Sequence, residues 1–291
     1  MAYQEEKTLL KKNLTTMLCL AVLLFSGPAF AASLHDMLPD AIKKSGKIII
    51  GVNGIFPPME FKEPGSDALV GIDVELAQAM AKELGIAIEF DDQQFDQLIN
   101  SINTKRVDMV ISGMSDSAER RKTLDFIDYF NSGTQCFTTK ELAGEIKSLE
   151  DLSGKTLAVS ASTDYLTTMQ KWNKDNLLDK GKPGITIMAM DSAASARMQM
   201  LQGRAQASAL SPEALGWANV QQKGAFVAVG PLLESNPYGI AFSKDNAKLR
   251  DAVYAALKKV FADGAYLEIL KKWGAESGAL ERPLINGEAV N

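Results

Sequence analysis

Short β-branched runs alternate with amphipathic stretches along this chain, and the alternation is run through twice. Lys47–Val52 (KIIIGV) reads as a buried strand. Asp73–Leu84 reads as a helix: Asp73 can cap it, Leu76, Ala77, Met80 and Leu84 share one face, and Gly85 ends it. Ile86–Phe90 is a second strand, Phe95–Asn103 a helix with Leu98, Ile99 and Ile102 inward, and Val107–Ile111 a third strand. Strand–helix–strand order at this spacing requires a parallel sheet with crossover helices.

The pattern restarts after Gly154-Lys155. Thr156–Ser160 is a strand, followed by a helix through Tyr165, Leu166, Met169 and Trp172. Ile185–Met190 is the next strand, Asp191–Leu201 a helix ended by Gly203, and Ala205–Leu210 a further strand. Ser211-Pro212-Glu213 opens another helix, and strands follow around Phe226–Val229 and Tyr238–Phe242. Helices at Leu249–Phe261 and Tyr266–Trp273 complete the tail. No glycine-serine linker separates the halves, so strands are expected to pass between them. Two α/β lobes joined by short crossovers form a cleft by construction.

The first residues read as an export signal. Lys7, Lys11 and Lys12 make a basic segment, Met17–Phe25 an apolar run, and Ala29-Phe30-Ala31 a small-x-small cleavage site. The run is far short of the roughly 18 residues of a membrane span. Cleavage after Ala31 removes Cys19 and leaves Cys136 as the mature thiol, expected to be buried and inert. The net charge of −5 argues against a nucleic-acid partner. One histidine, His35, and two cysteines leave no basis for a histidine-cysteine metal site. Binding chemistry must then rest on carboxylates, arginine, hydroxyls, aromatics and backbone.

Three segments carry such groups. In the first, the strand ending at Ile111 runs into Ser112-Gly113-Met114-Ser115, and a helix is expected from about Ser117. This sets Ser115 and free N–H groups at the carboxyl end of a parallel strand, where open α/β sheets bind ligands. Arg120 falls in the first turn, where the helix dipole disfavours a cation unless an anion docks there. A charge-assisted arginine-carboxylate contact contributes about 1.5–3 kcal/mol. In the second, Ser162 and Thr163 are hydroxyls at another helix start. Plain capping accounts equally for these hydroxyls, and a solvated surface position for Arg120. In the third, Pro57-Pro58 stiffens a loop carrying Phe56, with Phe95 placed to supply an opposite face. Each aromatic also suits an ordinary core.

Phe56-Pro-Pro-Met-Glu-Phe61, Gly71-Ile-Asp-Val-Glu-Leu-Ala77, Phe95-Asp-Gln-Leu-Ile99 and Arg106-Val-Asp-Met109 occur in that order. Ser112-Gly-Met-Ser115 through Glu119-Arg120, Asp125-Phe-Ile-Asp-Tyr129 and Leu149-Glu-Asp-Leu-Ser-Gly-Lys155 follow, with Gly203-Arg204 and Gly264-x-Tyr266 last. Together they resemble the periplasmic amino-acid-binding proteins of ABC importers, the polar amino acid type of solute-binding family 3. The resemblance implies an α/β, two-lobed Venus flytrap of type II, each lobe a mostly parallel sheet flanked by helices. Residues 34–136 and 237–287 would form the first lobe and 137–236 the second, after a signal at 1–31. Arg120 would clamp a ligand carboxylate, with Ser115 and the Ser162-Thr163 loop donating to it. Ser112 and the Gly113 carbonyl would accept from an α-amine, and Phe56 and Phe95 would sandwich the ligand. The implied protein is a periplasmic monomer, not an enzyme, without metal or cofactor. It delivers a small carboxylate to an inner-membrane ABC permease.

One position departs from the family. Ser211 stands where an aspartate usually pairs with the ammonium, and it also reads as an N-cap followed by proline. Either Asp164, Glu60 or Glu213 compensates, or the ligand lacks an ordinary primary ammonium. Two other roles use the same scaffold: a cyclohexadienyl-dehydratase-like enzyme with an acidic cleft residue, and a subunit presenting ligand to a sensor.

Overall fold

The computed structural model describes residues 33–289. The expected export signal, with Cys19, lies outside them. A large mixed sheet runs through the molecule in the order β5 (Ala87–Asp92), β1 (Lys47–Val52), β6 (Met109–Val110), β11 (Phe226–Ser243), β7 (Leu124–Thr139), β10 (Ala207–Leu210), β8 (Thr156–Ser160) and β9 (Thr186–Met190). β12 (Ala279–Ile285) pairs with β7, and β2 (Ile55–Phe56), β3 (Glu60–Lys62) and β4 (Leu69–Val70) form a small separate sheet.

β7 and β11 are the long elements, and they pair antiparallel from Phe226↔Thr139 to Ser243↔Leu124. The predicted strands at 226–229 and 238–242 are the two ends of this one strand. Its register shifts between Val229 and Leu233, Leu233 and Ser235, and Tyr238 and Gly239. Bulges of this kind bend and twist a strand pair. The core changes hands at the same place. Phe130 and Tyr238 pack with the first half, Cys136 and Val229 with the second.

Each half is a parallel α/β unit. β1 lies between β5 and β6, parallel to both, and β8 lies between β9 and β10, parallel to both. Helix Ile72–Leu84 buries Leu76, Ala77, Met80 and Leu84 against the first half, and Gly85 ends it in the left-handed region. The tail helix Ala247–Ala262 returns to that core through Leu249, Val253, Leu257 and Val260. Helix Asp164–Asn176 covers the second half.

Two local expectations change. Asp73 does not cap its helix. Gly71 holds the capping position at φ 127°, because a Cβ there would lie 2.3 Å from the Met59 carbonyl oxygen. After Ser115 there is only one 3-10 turn, Arg120–Lys122, in place of a helix from Ser117. Ser115 bridges to Tyr238, and the Asp116 N–H donates to the Pro237 carbonyl, so the segment is tied to β11. Consecutive cations Arg120, Arg121 and Lys122 would also oppose a helix dipole at that end.

Cys136 is buried in the second core, where burial pushes its thiol up to about 12. Its neighbour Phe137 is fully buried and meets Phe226 edge-on at 5.2 Å. Phe137→Ala is expected to destabilise the protein by about 3–5 kcal/mol in urea unfolding. A loss below 1 kcal/mol would show that this core closes without the ring.

Candidate functional site

The carboxyl ends of β1, β6 and β8 open toward one cleft between the halves. The cleft holds a cavity of about 560 Å³. Asn53, Phe56, Phe95, Gly113, Ser115 and Arg120 line it from the first half. Ser162, Thr163, Asp164, Arg197 and Trp217 are among the lining residues of the second. Arg120, Phe56, Phe95, Gly113, Ser115, Ser162 and Thr163, all predicted site residues, therefore meet in one space.

Ser112 and Ser211 lie behind the wall and do not line it. Ser112 is fully buried, donates to Glu60 Oε1 at 2.5 Å and accepts from the Asn53 N–H at 3.0 Å. Ser211 is fully buried below Leu210, and only Leu210 reaches the cavity. Proline at N1 and a Leu215 N–H to Ser211 carbonyl bond of 2.9 Å make Ser211 a helix start.

Arg120 sits at the meeting of the halves. Its Nη1 donates to the Ser115 carbonyl at 2.9 Å and to Asp164 Oδ2 at 3.1 Å. Its guanidinium carbon stands 5.8 Å from the centre of the Phe95 ring, within cation–π range. The following residue, Arg121, forks onto buried Asp116 with bonds of 2.5 and 2.7 Å, which fixes the loop. Thr163 holds the N-cap position of helix Asp164–Asn176 without a side-chain bond to it, and its hydroxyl donates to the Ser160 carbonyl at 3.0 Å. The hydroxyl's proton is thus engaged, and the loop offers backbone N–H groups instead.

Phe56 closes over Gly113. A Cβ on Gly113 would come within 2.6 Å of the ring, and the residue sits at φ 45°, so two constraints demand glycine there. The Gly113 N–H donates to Asp73 Oδ2 at 2.8 Å, and Tyr129 donates to Asp73 Oδ1 at 2.7 Å. Glu60 is fully buried beside them, and burial, then the Asp73 charge, hold its carboxyl far above the usual range. Glu60 does not line the cavity, so it cannot pair with a ligand amine in place of the charge missing at Ser211. Glu213 is raised by burial and receives the Ser132 hydroxyl at 3.1 Å. Asp164 remains as the carboxylate on the cavity wall that pairs with Arg120.

The halves also touch directly. The buried Tyr165 and Tyr238 hydroxyls lie 3.2 Å apart. Trp217 packs 5.1 Å from Phe61 and 6.0 Å from Trp273. Sequence reasoning did not find Trp217 or Arg197. The signal for Trp217 is the run Ala214, Trp217, Ala218, Gln221, one face of a helix and all on the cavity wall.

A family model for bacterial extracellular solute-binding proteins, family 3, matches residues 48–276. The chain is 31% identical over 258 residues to the arginine-binding protein ArgT of Corynebacterium glutamicum, covering 89% of this chain and 84% of that protein. It is 28% identical over 256 residues to the L-cystine-binding protein TcyJ of Escherichia coli K12, covering 87% and 92%. The fold aligns with an ancestral arginine-binding protein bound to arginine at TM-score 0.70 and 33% identity, over 78% of this chain and 98% of that one. It aligns equally, at TM-score 0.70 and 30% identity, with an ancestral amino-acid-binding protein described as a precursor of cyclohexadienyl dehydratase, over 80% and 98%. The architecture is accordingly the two-lobed, type II binding-protein fold.

Burial raises the Asp73 carboxyl to about 6 from its ordinary 3.8, so the folded protein holds this proton more tightly than the unfolded chain. The stability it contributes is complete below about pH 4 and is lost as pH rises through 6. Asn cannot titrate and cannot accept both hydrogen bonds. The destabilisation caused by Asp73→Asn is therefore expected to be larger at pH 4 than at pH 7 in urea unfolding. A penalty that grows with pH would contradict the assignment.

Proposed function

Because the chain belongs to the bacterial extracellular solute-binding proteins of family 3, we propose that it captures an amino acid or related small carboxylate and delivers it to an ABC permease. The export signal read in residues 1–31 supports a periplasmic location for this capture. The observation that carries the reading is Arg120, held by the Ser115 carbonyl and Phe95 at a cavity walled by both lobes.

The state described is one in which the protein's own Asp164 occupies the guanidinium. A ligand carboxylate takes over this contact, and the N–H groups before helix Asp164–Asn176 complete its hydrogen bonds. Asp164, released, then faces the ligand and is the carboxylate available for an amine, the part that Ser211 cannot play. Phe56 and Phe95 cover the ligand's body. Contacts from both lobes stabilise the closed arrangement relative to the open one, so occupancy and closure are one equilibrium. The protein binds and releases without changing the ligand. The named relatives are likewise binding proteins.

Arg120→Ala should weaken binding about tenfold or more, since a charge-assisted contact is removed. Calorimetry with amino acids and their N-substituted derivatives, first ranked by thermal shift of the unaltered protein, measures this. An unchanged affinity would overturn the role of Arg120.

A further inference from the structure

We propose that the ligand carries a second anionic group and that Arg197 receives it. The inference rests on the carboxylate reading of the cleft given above and adds the ligand's class.

The cavity does not end at Arg120. It continues into the second lobe, between helix Ala193–Leu201 and helix Pro212–Gln221. Helix Ala193–Leu201 lends Ala193, Ala194 and Arg197 to its wall, and helix Pro212–Gln221 lends Ala214, Trp217, Ala218 and Gln221. The four alanines leave room beside Trp217 for a ligand body that extends past Arg120. A volume of about 560 Å³ lies well inside the range of sites for molecules larger than a simple amino acid.

Arg197 lies on the wall of this extension. It is half-buried, and burial, with no charge to offset it, holds its guanidinium below its ordinary value. Arg106, Arg120, Arg121 and Arg250 each pair with a carboxylate. Arg197 pairs with none among the described residues, and Asp191, exposed at the rim, does not bond to it. A guanidinium drawn out of water without a partner is costly, and the cost is recovered when an anion enters. The planar fork of arginine suits a carboxylate or a similar oxyanion. A ligand that ends in a guanidinium would meet like charge here. The geometry points to a two-headed anion, with one carboxylate at Arg120 and the other at Arg197.

Matched pairs test this by calorimetry on the purified protein: glutarate, adipate and suberate against pentanoate, hexanoate and octanoate, and L-glutamate against L-glutamine and L-arginine. At least one two-headed anion should bind more tightly than its one-headed partner. Arg197→Gln should then weaken that dianion tenfold or more and leave the monoanion unchanged, while Arg120→Ala weakens both. Arg197→Lys, which keeps the charge, should restore part of the loss. If the monoanion binds as well as the dianion, or if Arg197→Gln weakens both alike with its thermal midpoint unchanged, the second subsite is overturned and the Arg120 site stands. If no carboxylate binds at all, both readings fall together.

Discussion

The antiparallel pairing of β7 with β11 carries the whole arrangement. Each strand begins in one lobe's sheet and ends in the other's, so one antiparallel pair spans the boundary, with its register shifts between Val229 and Gly239. An isolated hairpin of this length would be marginal in water. Here β6 flanks the pair along β11, β12 and β10 flank it along β7, and both ends of β7 are buried. The irregular stretch from Val229 to Gly239 is where ladder register is lost and the pair can twist. The cleft is therefore flanked by rigid sheets whose relative tilt is concentrated in a few residues.

The lower wall depends on a second constraint. Gly113 must approach Phe56 closely at a positive φ, and its N–H is held by Asp73. Asp73 is held in turn by Tyr129, and Ser112 ties the same loop to Glu60. Four buried polar groups from four separate segments thus specify the position of one glycine. This explains how Ser112 and Asp73 influence the cleft without lining it.

Much of the fold could be read from periodicity, since buried parallel strands and one-faced helices leave strong patterns. KIIIGV and the Leu76–Leu84 face are examples. The long strands were legible only at their ends: the middle of β11, Gly230 to Asn236, lacks an apolar pattern because it is mostly exposed between the lobes. The helix expected after Ser117 failed because tertiary bonds to Pro237 and Tyr238 outweighed local propensity. Arg120, Phe56 and Phe95 were legible from motif and strand end together. Arg197 was not, since an arginine in a helix has the same local pattern whether it faces solvent or a cavity. Only the packing of helix Ala193–Leu201 beside the cavity separates these cases.

The Arg120–Asp164 contact has a consequence for what can enter. In the state described Arg120 is not a bare charge, because Asp164 of the same chain stands 3.1 Å from it. Any anion from outside competes with this tethered one, whose local concentration is fixed by the fold. A small inorganic ion exchanges one ionic contact for another and gains almost nothing. A molecule that also meets the aromatic faces and the helix amides gains several contacts for the one it displaces. In this arrangement the internal pair sets a threshold that a single ionic contact does not exceed.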